Sequence, residues 1–186
     1  NCELVGITTC CGESIKRAEL ASMLCKVAGK DDIPIHAGCE QPILIPQMET
    51  TAPQARILND WPHETGFKPN TAIPFMQEVI RENPGEITLL ATAPMTNLGV
   101  LFAMDPEIPS LLDGLMLMCG SPTQQRFDVA TEKLSAMERD DLVRVLSSKG
   151  ILENNSIIDP HATSITYRAK IKNSRHVGTN VSSRVA

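Results

Sequence analysis

The segment from Gly85 to Gly99 constrains the fold most, because it places an apolar run directly before a polar turn and a helical pattern. The apolar run, Ile87 to Ala93, predicts a buried strand at the centre of a sheet. The polar turn contains Thr96, and a helix is predicted from Asn97 to Met104. Open α/β sheets bind their ligands at the carboxyl ends of parallel strands. We therefore expect the functional residues at this edge of a sheet.

Strand and helix patterns alternate along most of the chain. Leu4 to Cys10 is apolar and β-branched, and Ser14 to Ala28 follows with a roughly helical period that ends at Gly29. This alternation predicts an α/β fold with an open, mostly parallel sheet, helices on both faces and a Rossmann-like core. We expect residues 1–186 to form a single domain. The other predicted strands are 33–38, 87–93 and 115–119, and the other predicted helices are 71–82, 97–104 and 106–112.

The composition is that of an ordinary globular protein and argues against several classes of function. Of the 186 residues, 42% are hydrophobic and 21% are charged, so the chain can fold around a core. The net charge of -5 lacks the basic surplus that a phosphate backbone attracts, which argues against a nucleic-acid partner. No run approaches the ~18 apolar residues of a membrane span, and no signal segment opens the chain. We expect a cytoplasmic protein that binds a small neutral ligand and no membrane.

Six cysteines raise the question of disulfides or a zinc site. No two of them have the spacing of a Cys-x-x-Cys pair. Cys10 and Cys11 are adjacent at the end of a predicted strand, where neighbouring side chains point to opposite faces and do not easily bind one ion. We interpret the cysteines as buried, reduced thiols that act as small hydrophobic residues. Redox or metal chemistry is the alternative.

Three regions depart from the alternating pattern. Residues 41–70 are rich in Pro, Gln, Thr and Asn without a clear period, which predicts a long loop of functional or mobile character. Ala130 to Ser148 has the pattern of a charged amphipathic helix with a solvated face. Asp159 and Pro160 predict the start of another helix, because aspartate caps helices and proline is tolerated at the first helical position. The last predicted strand lies within 174–185.

With these elements placed, the chain resembles the inosine-uridine preferring nucleoside hydrolase family in six segments that follow the same order. The most specific is Gly85-Glu-Ile-Thr-Leu-Leu-Ala-Thr-Ala-Pro-Met-Thr-Asn97, which is similar to the family segment GEITLVALGPLTN. Ile33-Pro-Ile-His-Ala-Gly-Cys-Glu40 resembles IPVYAGA, and Glu153-Asn-Asn-Ser-Ile-Ile-Asp-Pro160 fits the element E-x-N-x-x-x-D-P. The remaining similar segments are 4–12, 105–120 and 175–182.

The resemblance implies a nucleoside N-ribohydrolase that acts in purine and pyrimidine salvage. In that family a calcium ion at the strand ends orients the ribose and activates the water that displaces the base. Thr96 matches the threonine whose backbone carbonyl binds this ion, with a helix N-cap as the alternative. Glu153 and Asn155 match the pair that binds the ribose hydroxyls, since a carboxylate and an amide supply acceptors and donors. A simple turn is the alternative for this pair, and Asp159 is expected only to cap a helix.

The resemblance also places His63 near the nucleobase. The family carries a His-Gly-x-x-Gly-Leu pattern in this loop, whereas this chain has Pro62-His-Glu-Thr-Gly-Phe67, with the histidine displaced by one place. A solvent-exposed loop histidine is therefore the alternative interpretation. We keep His63 as a candidate substrate-binding residue.

Several elements of the family pattern have no counterpart in this sequence. The aspartate cluster D-x-D-P-G-x-D-D, which supplies most of the calcium ligands, and a late aspartate beside a histidine are both missing. Calcium takes six to eight oxygen ligands, so Thr96 alone cannot hold it. Glu13 stands where the family has a turn asparagine. Residues 121–152 are longer than the family's usual link and are expected to be an insertion or a cover over the site.

Three functions stay open at this point. The first is part of a calcium-dependent nucleoside hydrolase, of which this chain alone is expected to be inactive. The second is a catalytically silent relative that binds nucleosides or regulates a partner. The third is an unrelated α/β domain such as a dinucleotide binder, which is disfavoured because no G-x-G-x-x-G follows a strand. We favour the first, and we expect a homo-oligomer because uncovered sheet edges promote association.

Overall fold

The computed structural model describes residues 2–120 and 153–178, in which strands and helices alternate. The strands are β1 (Ile7–Thr9), β2 (Ile35–Ala37), β3 (Thr88–Ala91), β4 (Gly114–Met118) and β5 (Ser174–Val177). The helices are α1 (Ser14–Val27), α2 (Ala72–Glu82), α3 (Thr96–Met104), α4 (Ile108–Leu111), α5 (Asn154–Ile158) and α6 (Pro160–Arg168), with a 3-10 helix at Pro53–Asn59.

All of the strand pairs in the described residues are parallel. β1 pairs with β2, and Thr8 lies opposite His36. β4 lies between β3 and β5, so that Leu115 has Leu89 on one side and Ser174 on the other. These pairings confirm the predicted parallel α/β sheet. Among the described strands, however, the middle one is β4 and not β3, because only β4 has hydrogen-bonded neighbours on both sides.

One face of the three-stranded sheet carries the main hydrophobic core. Leu115 and Leu117 of β4 are at most 2% exposed and pack with buried side chains of α2, α3 and α6. Burial of such a side chain contributes about 2 kcal/mol. On the opposite face, Leu90 and Met116 stay 71% and 43% exposed. The prediction that β3 is a buried strand therefore holds for one of its faces only, in the part of the chain that the structure describes.

The described strands form two sheets, β1–β2 and β3–β4–β5. Asn97 of α3 connects the first sheet with the helix that follows β3 of the second. Its Oδ1 accepts a hydrogen bond from the backbone N–H of Cys39 at 2.9 Å, and its Nδ2 donates to the carbonyl of Thr9 at 3.0 Å. The side chain is buried. A Cβ atom at Gly38 would lie only 2.4 Å from Oδ1 of Asn97. The carboxyl ends of β1 and β2 are thus held against the start of α3.

The helix boundaries follow the predicted signals, with one exception. Asp159 caps α6 because its Oδ1 accepts from the N–H of Ala162 at 2.9 Å, and Pro160 is the first helical residue. Gly29 follows α1 with a φ of 64°, a conformation in which glycine is favoured. Thr96 is not the N-cap of α3, since Met95 holds that position and no side chain caps the helix.

The remaining predictions have mixed outcomes. The long loop expected at 41–70 includes the 3-10 helix Pro53–Asn59, which was not predicted. The predicted amphipathic helix at 130–148 and the end of the last predicted strand lie outside the described residues. None of the described helices has the length and apolar character needed to cross a bilayer. All six cysteines are free thiols; four are buried, Cys39 is half-buried and Cys2 is exposed.

Candidate functional site

The side chain of Asn155 bridges the carboxyl ends of β3 and β4. Its Nδ2 donates to the carbonyl of Met118 at 2.7 Å and to that of Thr92 at 3.3 Å. Met118 ends β4, and Thr92 follows β3 directly. Asn155 is buried and belongs to α5, so it does not lie in an open turn. Its amide is therefore part of the sheet edge at which ligands are expected.

Glu153 caps the same short helix with its carboxylate. Its Oε1 accepts from the backbone N–H of Asn155 at 3.1 Å, and its Oε2 accepts from that of Ser156 at 2.8 Å. The hydroxyl of Ser156 adds a third donor, 2.9 Å from Oε2. Glu153 is 6% exposed. These three donors hold the carboxylate, an acceptor group, in one orientation at the sheet edge.

Thr96 is held by Asp159, which does more than cap α6. The hydroxyl of Thr96 donates to Oδ2 of Asp159 at 2.8 Å, and the backbone N–H of Ile43 donates to the same oxygen at 3.0 Å. Thr96 and Asp159 are both buried. Asp159 therefore connects the start of α3, the start of α6 and the long loop. The sequence predicts only the helix cap for Asp159, so its contacts with Thr96 and Ile43 are an additional finding.

These contacts bring three of the four candidate residues to one place. Asn155 contacts Thr92, and Asp159 at the other end of α5 contacts Thr96, so α5 lies along the turn that follows β3. We call the residues 92–96, 118–120 and 153–159 the carboxyl edge. It offers a carboxylate, an amide and backbone carbonyls, which are the donors and acceptors that a sugar diol can use.

A buried thiol also belongs to this edge. The Sγ of Cys10, just after β1, donates to the carbonyl of Pro94 at 3.3 Å. Burial raises the pKa of the Cys10 thiol to about 12. Because the thiolate is the reactive form of cysteine, Cys10 is a structural hydrogen-bond donor and not a nucleophile at neutral pH.

Glu49 of the long loop reaches the carboxyl edge as well. Its Oε1 accepts from the side-chain amide of Asn154 at 3.1 Å, and its Oε2 lies 3.9 Å from a guanidinium nitrogen of Arg17. The thiol of Cys11 is 3.8 Å from the same Oε2. The sequence does not single out Glu49, because a loop without a period gives no signal for which side chain turns inward.

His63 lies apart from the carboxyl edge. Its Nδ1 is 2.8 Å from the carbonyl of Trp61, and its side chain is half-buried. It lines a cavity of about 560 Å³ beside α1. Glu13, Lys16 and several residues of the 3-10 helix, among them Arg56, line the same cavity. Within residues 2–120 and 153–178, no hydrogen bond connects His63 with Thr96, Glu153 or Asn155. The structure therefore does not bring His63 together with the other three candidates.

The described residues do not form a calcium site by themselves. In this part of the chain there is no group of three or more His, Cys, Asp or Glu side chains that could hold a metal ion. Asp159 lies beside Thr96, but its oxygens accept hydrogen bonds from Ile43, Thr96 and Ala162. A hard cation needs six to eight oxygen ligands. The donor set around Thr96 thus does not fit calcium without further ligands.

Comparison with known proteins gives a consistent picture. The family model described as inosine-uridine preferring nucleoside hydrolase matches residues 1–186. Uridine nucleosidase 1 of Arabidopsis thaliana is 29% identical over 126 residues, which are 64% of this chain and 38% of that protein. The pyrimidine-specific ribonucleoside hydrolase RihA of Klebsiella pneumoniae (strain 342) is 25% identical over 190 residues, which are 99% of this chain and 61% of that protein.

Solved structures support the fold. A plant nucleoside hydrolase, the PpNRh1 enzyme, aligns with a TM-score of 0.70 and 22% identity over 96% of this chain and 52% of that chain. An inosine-uridine preferring nucleoside hydrolase from Bacillus anthracis aligns with a TM-score of 0.63 and 18% identity over 97% of this chain and 57% of that chain. The chain therefore spans about half the length of the proteins that it matches.

Proposed function

Since the chain belongs to the inosine-uridine preferring nucleoside hydrolase family, we propose that it supplies the ribose-binding edge of a ribonucleoside hydrolase. The reaction is hydrolysis of the N-glycosidic bond, which releases ribose and a free base. One observation carries the proposal: Asn155 lies at the ends of β3 and β4, beside Glu153. This is the position at which open α/β sheets bind their ligands.

Glu153 and Asn155 have complementary roles in this proposal. The Nδ2 of Asn155 is directed to the carbonyls of Thr92 and Met118, so its Oδ1 is turned away from them and can accept from a sugar hydroxyl. The Glu153 carboxylate, held by Asn155 and Ser156, accepts from a second hydroxyl. Each carboxylate oxygen accepts more than one hydrogen bond, so helix capping and sugar binding are compatible.

Calcium is the metal that the family resemblance implies, and it would polarise the attacking water. Because the described residues do not complete its ligand set, we assign no catalytic step to it through Thr96. We propose the carbonyl of Thr96 only as one ligand among several. His63 is proposed as a residue on the nucleobase side, where it lines the cavity beside α1. A cytoplasmic location and a homo-oligomeric state also remain proposals.

The test is release of ribose from uridine and from inosine by the purified intact protein, with added calcium and with a chelator. We expect the wild-type protein to release ribose in calcium. We expect Asn155→Ala and Glu153→Gln to lower kcat/KM by about 10- to 100-fold, since each removes a hydrogen bond worth about 1.5–3 kcal/mol to a charged or tightly held group. Asp113→Asn is the matched control, because Asp113 is exposed.

The catalytically silent relative is the second candidate, and the lack of a metal-binding cluster in the described residues favours it. It predicts that calorimetry detects uridine binding while no ribose is released in calcium. Asn155→Ala would then weaken binding without any effect on turnover. If the intact protein neither binds nor hydrolyses a ribonucleoside, both candidates are wrong.

A further inference from the structure

The carboxylate of Glu153 is connected to a buried thiol through one hydroxyl. The Oγ of Ser156 lies 2.9 Å from Oε2 of Glu153 and 2.9 Å from Sγ of Cys119. Ser156 is part of α5, and Cys119 follows β4 directly. Cys119 is 1% exposed. Glu153 is thus supported by Ser156 of α5, which in turn contacts Cys119 at the end of β4.

Counting protons fixes the direction of these hydrogen bonds. A serine hydroxyl has one hydrogen, and Ser156 donates it to Glu153, which has no hydrogen to give when ionised. In the contact between Cys119 and Ser156 the thiol is therefore the donor and the oxygen of Ser156 the acceptor. The Glu153 carboxylate itself also lies within reach of this thiol. This direction requires a protonated thiol, and burial raises the pKa of Cys119 above its ordinary value. Geometry and protonation agree on an S–H donor.

Tyr167 extends the chain of donors by one residue. Its hydroxyl lies over Gly120, where an added Cβ would be 3.1 Å from the hydroxyl oxygen, and it is close enough to the Cys119 thiol for each group to shift the pKa of the other. Burial also raises the pKa of Tyr167, so the hydroxyl keeps its proton. The Tyr167 ring stacks on His176 of β5 with a centroid distance of 4.7 Å. This stacking holds the ring against the end of the sheet.

We propose that Tyr167, Cys119 and Ser156 are positioning residues that form a one-way chain of hydrogen-bond donors ending on Glu153. The chain holds the carboxylate in the orientation that accepts a sugar hydroxyl, and so makes the site selective for nucleosides that carry this hydroxyl. The proposal rests on the proposed function, because it takes Glu153 as the ribose-binding carboxylate. It goes further by assigning roles to three side chains that do not touch the sugar.

The test compares uridine with 2′-deoxyuridine and 5′-deoxyuridine as substrates of the intact protein. We expect Ser156→Ala to lower kcat/KM for uridine by about 5- to 20-fold, the size of one lost hydrogen bond to a carboxylate. The same variant should change kcat/KM by less than about twofold for the analogue that lacks the bound hydroxyl. A merely structural loss would instead lower both values equally, because it reduces the amount of active protein.

Conservative substitutions separate the donor role from packing. Cys119→Ser keeps an O–H donor, so we expect discrimination between uridine and the deoxy analogue to stay within about threefold of wild type. Cys119→Ala lacks a donor and should behave like Ser156→Ala, and Tyr167→Phe should have a smaller effect in the same direction. Ser110→Ala is the control, since Ser110 donates only to the carbonyl of Glu107 on the exposed side of α4.

The S–H stretching band of Cys119 tests the chain without substrate. The band is identified in the infrared difference spectrum between wild type and Cys119→Ala. We expect it to shift in Ser156→Ala, because the thiol loses its acceptor. An unshifted band, or unchanged discrimination in an active Ser156→Ala protein, overturns the positioning role alone. A different outcome is that the band shifts in Ser156→Ala while the wild-type protein neither binds nor hydrolyses uridine. That outcome leaves the hydrogen-bond chain intact and overturns the proposed function, and with it the link to substrate.

Discussion

The hydroxyl of Thr96 and the carboxylate of Asp159 lie 2.8 Å apart although 63 positions separate them in the sequence. This hydrogen bond fixes the turn after β3 against the start of α6. Both side chains are buried, so the contact is shielded from water. It constrains the position of Thr96, whose backbone carbonyl is the proposed metal ligand.

Removing the Thr96 hydroxyl should therefore destabilise the protein. We expect Thr96→Val to lower the free energy of unfolding by about 1–3 kcal/mol, because one buried carboxylate oxygen loses a donor. Thr96→Ser keeps the hydroxyl and should stay closer to wild type. Urea denaturation with an unchanged m-value measures the difference. Equal stability of the valine and serine variants would contradict the role given to this bond.

Asn97 should be more sensitive to truncation than an exposed asparagine. Asn97→Ala leaves the N–H of Cys39 without its acceptor, whereas the carbonyl of Thr9 keeps the backbone N–H of Gly38 as a donor at 2.9 Å. We expect a loss of about 1–3 kcal/mol in the free energy of unfolding, since one partly buried backbone group becomes unsatisfied. Asn173→Ala, which removes an exposed bond to Asp113, is the control and should cost at most about 0.5 kcal/mol.

The crossing of α3 and α6 depends on the absence of a side chain at Gly99. An added Cβ would lie 2.6 Å from both Cα and Cβ of Ala162. Glycine to alanine inside a helix normally stabilises by about 1 kcal/mol. We expect Gly99→Ala to destabilise by about 1–3 kcal/mol instead, because the helices must move apart. A chemical denaturation curve that moves to higher denaturant would show that the two helices accommodate the methyl group.

The element order was predictable because local patterns encode it, whereas the contacts of the carboxyl edge were not. The apolar run after Gly85, Gly29 after α1 and the Asp159-Pro160 pair each act through neighbouring residues, and the structure confirms all three elements. The bond from Thr96 to Asp159 joins distant positions. A single sequence contains no local signal for such a pair.

The exposure of individual side chains and the contacts of the long loop could not be predicted from the sequence either. The apolar run of β3 predicts a buried strand, yet Leu90 is 71% exposed. An apolar run does not record which neighbours cover it. Glu49 was not identified, because its contact with Asn154 depends on the path of a loop without a period. The placement of His63 away from Asn155 depends on the same loop.

His36 should make stability depend on pH. Its ring stacks on Phe75 with a centroid distance of 4.1 Å, and burial lowers the pKa of His36 below its ordinary value of 6.5. Between the two pKa values the unfolded chain binds more protons than the folded protein, so stability falls as pH falls from 6.5 toward the lower value. We expect His36→Gln to reduce this slope. Urea midpoints across the mildly acidic range, compared with wild type, give the measurement.

Thiol reactivity should follow burial. Cys2 is exposed, whereas Cys10 is buried with its pKa raised to about 12. In the native protein at neutral pH we expect Cys2 to react with a thiol reagent first and Cys10 only after unfolding, because the thiolate is the reactive species. Mass spectrometry of peptides after timed labelling identifies each site. Early labelling of Cys10 would mean that this edge opens in solution.

The bridge that Asn155 makes to Thr92 and Met118 spans 63 and 37 positions of sequence. A ribosome-bound chain has made β3 and β4 long before Asn155 leaves the exit tunnel. The ends of β3 and β4 therefore gain their bridging side chain only after both strands have been synthesised, so the carboxyl edge is completed later than the pairing of β3 with β4. A chain cut before Glu153 would keep the partners of the β3–β4 pair but lose Glu153 and Asn155, the two residues that we propose for ribose binding.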